Sequence, residues 1–312
     1  MLIIKRCLYN INLWIKESRA PFFTGSIIPV LLGSILAWYD TSSFLWLNFL
    51  LTFIGTVLIH AGTNMANDYF DHVSGCDEAN LNPTPFSGGS RMIQNGLIPP
   101  KKVLYASLIA LSIGSGIGLY LNYVSERNII LILGIIGIFL AFFYTANPFK
   151  IAYKTFGELA VGIGFGPLIV MGSYYVQAQN LSIREFLISI PIGILIALIL
   201  YINEFPDYDS DKQVGKKTLV VVLGKQRAII LYHILLFITY LAIILLIVFK
   251  ALPYMCLIAL ISLPISIKAF VVSRKNFDKI YELLPANAYT IKLHSSIGLL
   301  LCIGVILDKI FG

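Results

Sequence analysis

The sequence predicts an all-α membrane protein: nine transmembrane helices in one bundle around a central cavity, capped on the inner side by two long loops. Composition is the first reason. Of the 312 residues, 58% are hydrophobic and only 12% are charged, and the mean hydropathy is +0.84. A soluble domain carries roughly 25% charged residues, so this chain has too little polar surface to cover itself in water. The second reason is the recurrence of long charge-free stretches along the whole chain. The third is the gathering of Lys and Arg in alternate connectors.

The charge-free stretches run 20–39, 41–67, 103–125, 128–149, 159–183, 186–203, 228–249, 251–267 and 293–307. A spanning helix needs about 20 mostly apolar residues, which the first seven meet or nearly meet. The last two are short, but Lys268 and Lys292 at their edges can snorkel and lengthen them. Strand-like alternation is absent, which leaves helices as the spanning structure. Ile4, Leu8, Ile11 and Ile15 share one helical face, so residues 1–19 are expected to form an interfacial amphipathic segment. Lys5, Arg6, Lys16 and Glu17 interrupt that segment too often for a signal peptide. A single domain over 1–312 is the simplest organisation for such a bundle. Gly55, Gly62, Gly162, Gly164 and Gly166 are expected to let helices approach closely.

The formal net charge is +7. Membrane orientation explains it better than nucleic acid, because the basic residues lie in short connectors between apolar runs. A cytoplasmic N-terminus puts 19 of the 23 Lys and Arg residues inside and leaves Arg127, Arg184, Lys250 and Lys309 outside. The expected product is a multi-pass protein of the cell membrane with its C-terminus outside. The four Cys show no CxxC spacing and read as reduced thiols or packing residues. His233 and His294 stand alone and read as structural.

Outer connectors are a few residues long, whereas the inner connectors 68–102 and 204–227 are long and should carry function. Eight of the 16 acidic residues fall in two short segments beside them. Asn67, Asp68, Asp71, Asp77 and Glu78 make up the first; Asn203, Glu204, Asp207, Asp209 and Asp211 make up the second. The i, i+4 spacing of Asn67 and Asp71, and of Asn203, Asp207 and Asp211, places each set on one helical face. The two segments form a weak internal repeat that delivers an Asn-x-x-x-Asp face twice to the same membrane side. Gly75 is expected to end the first helix and leave Asp77 on a loop.

Clustered carboxylates repel, and burial disfavours their charged form, so a cation must balance them. Mg2+ takes oxygen ligands, typically one or two carboxylates plus substrate phosphates. The pattern therefore points to Mg2+ bridging the protein to a diphosphate, with Arg91, Lys150, Lys154, Lys212, Lys216 and Lys217 on the same side to contact phosphate oxygens. Two other readings compete. Solvated acidic loops would not need matched spacing in both halves, and a cation transporter would place its ionisable groups near the middle of the bilayer.

These residues carry a resemblance. Asn67-Asp68-x-x-Asp71 with Gly75-x-Asp77, and Asn203-x-x-x-Asp207-x-x-x-Asp211 followed by Gly215-Lys216-Lys217-Thr218, resemble the motifs of the UbiA superfamily of intramembrane prenyltransferases. The resemblance covers most of the chain from Arg19-Ala20-Pro21 onward. It implies nine transmembrane helices and Mg2+-dependent transfer of a polyprenyl group from its diphosphate to an aromatic acceptor. One departure is informative: Gly75 stands where the commonest pattern has a third Asp, and Asp77 follows two residues later. That form is similar to the 1,4-dihydroxy-2-naphthoate polyprenyltransferase branch of menaquinone biosynthesis, as are Ser87–Arg91 with Gln94–Leu97, Gly157-Glu158-Leu159 and Gly172–Gln177. Other acceptors of the superfamily are 4-hydroxybenzoate, further aromatics and glycerol-phosphate lipids.

The resemblance implies roles. Asp68, Asp71, Asp207 and Asp211 would hold Mg2+, with oxygen contacts from Asn67 and Asn203. Asp77 would bind the metal directly or through water. Tyr144 and Tyr69 would face the allylic carbocation left when diphosphate departs. The polyprenyl tail would leave through a lateral opening into membrane lipid. Arg19, His60 and Asn64 are placed towards the acceptor, although His60 also fits a hydrogen-bonded core histidine and Arg19 a lipid-phosphate contact. His72 reads either as an acceptor contact or as a solvated loop residue. Glu158 is expected to orient a basic partner such as Lys154.

Overall fold

The computed structural model describes residues 11–312 and is all-α, with no strand among the described residues. A short helix α1 (11–17) leads through a 3-10 turn, Ala20–Phe23, into α2 (Thr24–Thr41). Next come α3 (Trp46–Val73), the single turn α4 (Cys76–Ala79), α5 (Pro100–Tyr123) and α6 (Ile129–Phe143). Helix α7 (Gly157–Ile163) passes through a π-helical turn, Gly164–Leu168, into α8 (Ile169–Ala178). The rest is α9 (Ile183–Gln213), the short α10 (Leu219–Leu223), α11 (Lys225–Val248), a 3-10 segment Tyr254–Ser262 continued by α12 (Leu263–Asn276), and α13 (Ile280–Phe311).

Among the described residues eight helical segments are long and apolar enough to cross a membrane, and α6 is apolar but only 15 residues long. Large apolar side chains such as Ile109, Ile113, Phe237 and Ile267 are exposed on the bundle, as a lipid solvent permits. The expected span 128–149 is too long. The helix stops at Phe143; Pro148 has no N–H to offer the Tyr144 carbonyl four residues back, a break that a charge-free count cannot see. The last two spans are longer than expected. Lys268, Arg274, Lys275, Glu282 and Lys292 all lie within helical turns of α12 and α13, so charge marks the edge of hydrocarbon rather than the end of the helix. Of the expected N-terminal face, Ile11 and Ile15 are exposed on α1, while Ile4 and Leu8 lie outside the described residues.

Helix α9 is the spine of the core. Ile188, Ile192, Leu195, Leu198 and Ile202 are all buried within the largest apolar cluster, packed with residues of α2, α11 and α13. Its start is set by a capping box in which Ser182 and Glu185 satisfy each other's orphan groups. The end of the bundle remote from the acidic motifs is stapled by polar contacts. Asp40 accepts from Arg184 at 2.7 Å and from the Tyr174 hydroxyl at 2.9 Å, and Tyr39 donates to Asp308 at 2.8 Å. The end of α13 therefore lies opposite the acidic motifs.

A cavity of about 770 Å³ runs inside the bundle, lined by α2, α3, α5, α6, α7, α8 and α9. Along α3 it extends from Leu51 to Asn67, about 24 Å at 1.5 Å per residue. Its walls are mainly Ile, Leu, Phe and Gly. Glycine permits the crossing of α7 and α9: a Cβ on Gly166 would lie 2.6 Å from Gly193 Cα. Gly55, Gly62 and Gly162 are likewise tight, but Gly164 has no atom within 4 Å of its would-be Cβ, so its expected packing role is corrected. Gly166→Ala should cost about 1–3 kcal/mol through overpacking and lower the Tm in detergent, whereas Gly164→Ala should leave it unchanged. Thermal unfolding of the two variants side by side checks this.

Candidate active site

The acidic motifs arise where α3 and α9 continue past the apolar core with no break in the helix. Both motifs end at the same side of the bundle, and the connectors fold over them as a cap. Asp68, Asp71, Asp77 and Asp211 are each no more than 5% exposed, and Asn203 and Glu204 are also buried. Asp77 sits on α4 rather than on a loop as expected, because the chain reverses at Gly75 and at once makes one more helical turn.

Lys216 stands between the two motifs. Its Nζ lies 3.6 Å from Asp211 Oδ1 and 4.0 Å from Asp71 Oδ2, and 5.5 Å from the centre of the Tyr153 ring. Desolvation opposes the charge on Lys216, yet Asp211 and Asp71 hold its pKa well above the usual value. The Tyr153 hydroxyl donates to Asp71 Oδ1 at 2.8 Å, and Cys76 Sγ approaches Asp211 Oδ1 at 3.7 Å. Asn80 of the cap donates to Asp207 at 2.7 Å, and Asn287 of α13 donates to Asn203 Oδ1 at 2.8 Å.

The first motif is held by the segment 87–94. Ser90 donates its backbone N–H to Asp68 Oδ2 at 2.8 Å and its hydroxyl to Glu17 Oε2 at 2.5 Å. Gly89 lies at φ +72°, and a Cβ there would meet Asp77 Oδ2 at 2.6 Å, so glycine is required both by backbone and by space. Arg91 donates to the Asp77 carbonyl at 2.5 Å, and Gln94 to the Asp77 carboxyl at 3.3 Å. Burial pushes the Asp77 carboxyl up to about 8, with Asp71 and Asp68 adding to the shift. Burial, then Asp68, pushes Glu17 up to about 7.

The cavity opens at this acidic end. Asn67, Asn203, Tyr144, Asn64, Arg19 and His60 all line it. His60 Nδ1 pairs with Ser26 Oγ at 2.7 Å between the rings of Phe23 and Phe165, and Asn64 donates to the Ser18 carbonyl at 2.9 Å.

Several expected placements are corrected. Tyr69 turns away from the cavity and packs with Met65, Met92 and Ile93, because it lies two residues, about 200°, round the helix from Asn67. Of the six basic residues, only Lys216 contacts the acidic groups. Arg91 braces the cap, Lys150 lies over the Tyr153 ring, Lys212 lies over the Tyr208 ring, and Lys154 and Lys217 are exposed. Glu158 does not orient Lys154; its Oε1 accepts the Leu219 N–H at the start of α10, at 2.7 Å. His72 pairs with Glu78 instead of reaching the cavity. Glu17, Tyr153, Asn80 and Asn287 were not expected in the site, and Ser90 was noted only within the stretch Ser87–Arg91. Glu17 stands between Lys16 and Arg19, where nothing in the spacing marks it.

Among the described residues no three acidic, His or Cys side chains converge closely enough to hold a metal unaided. The donor set is nonetheless all oxygen, and Asn67 Oδ1 and Asp68 Oδ1 are buried without a partner among the described residues. That fits a hard divalent cation whose remaining ligands come from phosphate or water.

The profile of the UbiA prenyltransferase family matches residues 26–295. The chain belongs to that family. A 1,4-dihydroxy-2-naphthoate octaprenyltransferase of Bacillus subtilis (strain 168) is 30% identical over 296 residues, covering 95% of this chain and 92% of the relative. UbiA prenyltransferase domain-containing protein 1 of Rattus norvegicus is 32% identical over 293 residues, covering 91% and 80%. A UbiA homolog from Archaeoglobus fulgidus bound to GPP and Mg2+ shares the fold with a TM-score of 0.67 at 14% identity, covering 93% of this chain and 99% of its own. The UbiA-family chain is thus a prenyltransferase embedded in the membrane by multiple helices.

The Asp77 carboxyl yields a pH prediction. The fold retains a proton up to about pH 8, whereas an unfolded Asp releases it near about 3.9. The stability this contributes is full below about pH 4 and is lost as pH rises towards 8. The Tm of metal-free protein in detergent should therefore fall between pH 6 and pH 9, and Asp77→Asn should flatten the fall. Equal slopes for the two proteins would refute the assignment.

Proposed function

We propose that this prenyltransferase moves a polyprenyl group from polyprenyl diphosphate to 1,4-dihydroxy-2-naphthoate, releasing diphosphate, as a step of menaquinone biosynthesis. The observation that carries the reading is Lys216 bridging Asp71 and Asp211, one helical turn or two beyond Asn67 and Asn203, which line an apolar cavity extending about 24 Å along α3. A charged head belongs at that acidic end and a hydrocarbon tail in that depth. The names of the Bacillus subtilis and Mycobacterium tuberculosis relatives support the acceptor.

The carboxylates of Asp68, Asp71, Asp77, Asp207 and Asp211 would hold Mg2+ together with the diphosphate, and the amides of Asn67 and Asn203 would add oxygen contacts. When bound, Mg2+ stabilises the negative charge that develops on the departing diphosphate. Lys216 supplies a fixed positive charge to the same oxygens. Tyr144 lines the cavity with its hydroxyl turned towards Gly157, leaving a ring face for the allylic cation. The walls from α5 and α6 take the tail and exclude water, and the sparse burial of α6 suits a lateral exit into lipid. Arg19 and His60 would hold the acceptor's carboxylate and hydroxyl, with the rings of Phe23 and Phe165 beside them. The ring carbon that bears the carboxylate would attack the cation, and the ring would regain aromaticity by releasing carbon dioxide, the electron pair of the broken C–C bond returning to the ring. The Lys and Arg bias supports a cytoplasmic N-terminus and cap, with the C-terminus outside.

Purified protein with Mg2+, a polyprenyl diphosphate and a panel of acceptors should form the prenylated naphthoate product, read by mass analysis of the lipid extract. Product only with 4-hydroxybenzoate or a glycerol-phosphate lipid would reassign the acceptor, and no product with any acceptor would sink the reading. Asp71→Asn and Asp207→Asn should each lose at least about 10²-fold in kcat. Lys216→Met should raise KM for the prenyl diphosphate far more than KM for the acceptor, as steady-state kinetics would show.

A further inference from the structure

Glu17 is fully buried although it belongs to neither acidic motif. It closes α1, whose Leu13 and Trp14 pack on the cluster of Met65, Met92 and Ile93, so the carboxylate is driven inward while Ile11 and Ile15 stay outside. One oxygen, Oε2, accepts from the Ser90 hydroxyl, and the same residue's N–H holds Asp68 Oδ2. The other oxygens of both acids, Glu17 Oε1 and Asp68 Oδ1, are buried and have no partner among the described residues. No Lys or Arg nitrogen among the described residues lies within 4.0 Å of either acid. The charge of Arg19 reaches both acids only from a distance, its guanidinium donating to the Phe86 carbonyl and lying 5.0 Å from the Phe22 ring.

The contrast with the second motif is sharp, since Asp211 and Asp71 share Lys216. A buried carboxylate with an unsatisfied oxygen is strongly unfavourable, and two of them linked through one serine are worse. A hard cation relieves both at once, because it needs the lone pairs that Ser90 leaves free. We infer that Glu17 is a further ligand of the divalent cation at the first motif, so that the metal site includes the segment preceding the first membrane helix. This rests on the divalent-cation reading above.

The competing account makes Glu17 only an anchor for Ser90, and the two differ in metal-free protein. Full-length protein in detergent is titrated with Mg2+ alone, without prenyl diphosphate or acceptor, following the Tm and, with Trp38 and Trp46 replaced by Phe, the emission of Trp14. A ligand role predicts that Glu17→Gln weakens Mg2+ binding at least about tenfold while leaving the metal-free Tm equal or higher, since a repelling charge is gone. Asp278→Asn, an exposed surface change, should leave both quantities as in the wild type. Glu17→Asp keeps the charge but retracts it by one methylene, and should weaken binding without raising the metal-free Tm. Wild-type Mg2+ affinity in both Glu17 variants overturns the inference alone. No Mg2+ response in the unaltered protein overturns it together with the metal reading on which it rests.

Discussion

The constraint on which the rest depends is negative charge packed into a low-dielectric end of a helical bundle. Two helices deliver carboxylates to one place, and among the described residues only Lys216 forms ion pairs with both motifs. Such an arrangement is costly as a structural device, because apolar residues of similar size would pack there at no electrostatic penalty. It is economical as a receptor. On the proposed function, the positive charge that the site lacks would be brought by a metal-bound diphosphate, so binding and neutralisation would be one event.

The fold makes that concentration tolerable by fixing the backbone around it. Helices α3 and α9 reach the site as rigid continuations of membrane spans, and α9 is buried along nearly its whole length. The cap then satisfies the carboxylates one by one. Asn80 reaches Asp207, Ser90 reaches Asp68, and Gly89 presses its backbone against Asp77 where any side chain would collide. Contacts such as Asp40–Arg184 lock the remote end, so the cavity between the two ends keeps its depth.

Much of this was legible from residues alone, and the limits have physical causes. The spans could be located because hydrocarbon excludes charge. Their ends could not be placed, because a helix that leaves the hydrocarbon keeps its backbone hydrogen bonds, as at Lys268 and Lys292. The pairing of Asn67–Asp71 with Asn203–Asp211 was legible because helical periodicity puts each set on one face. Side-chain direction off that face was less so: Tyr69 is adjacent to Asp68 in sequence but packs into a different layer. The basic residues were the poorest guide. Positive charge also marks orientation, so only the structure separates Lys216 from Lys154 and Lys217. Asn80, Asn287 and Glu17 carry no spacing signal, because their partners lie on other helices.

The two halves of the repeat are not electrostatically equivalent. The second motif is largely satisfied by the protein itself: Lys216 meets Asp211, Asn80 meets Asp207, and Asn287 meets Asn203. The first keeps free oxygens at Asn67 and Asp68, with Glu17 beside them. Lys216 is shared through Asp71; on the proposed function, Asp71 turning towards a cation would loosen the hold of the first motif on Lys216 and free the ammonium for phosphate oxygens. Asymmetry of this kind would let one lysine serve first as an internal counter-ion and then as a contact to the diphosphate. It also accounts for the placement of Lys216 between the motifs rather than within either one.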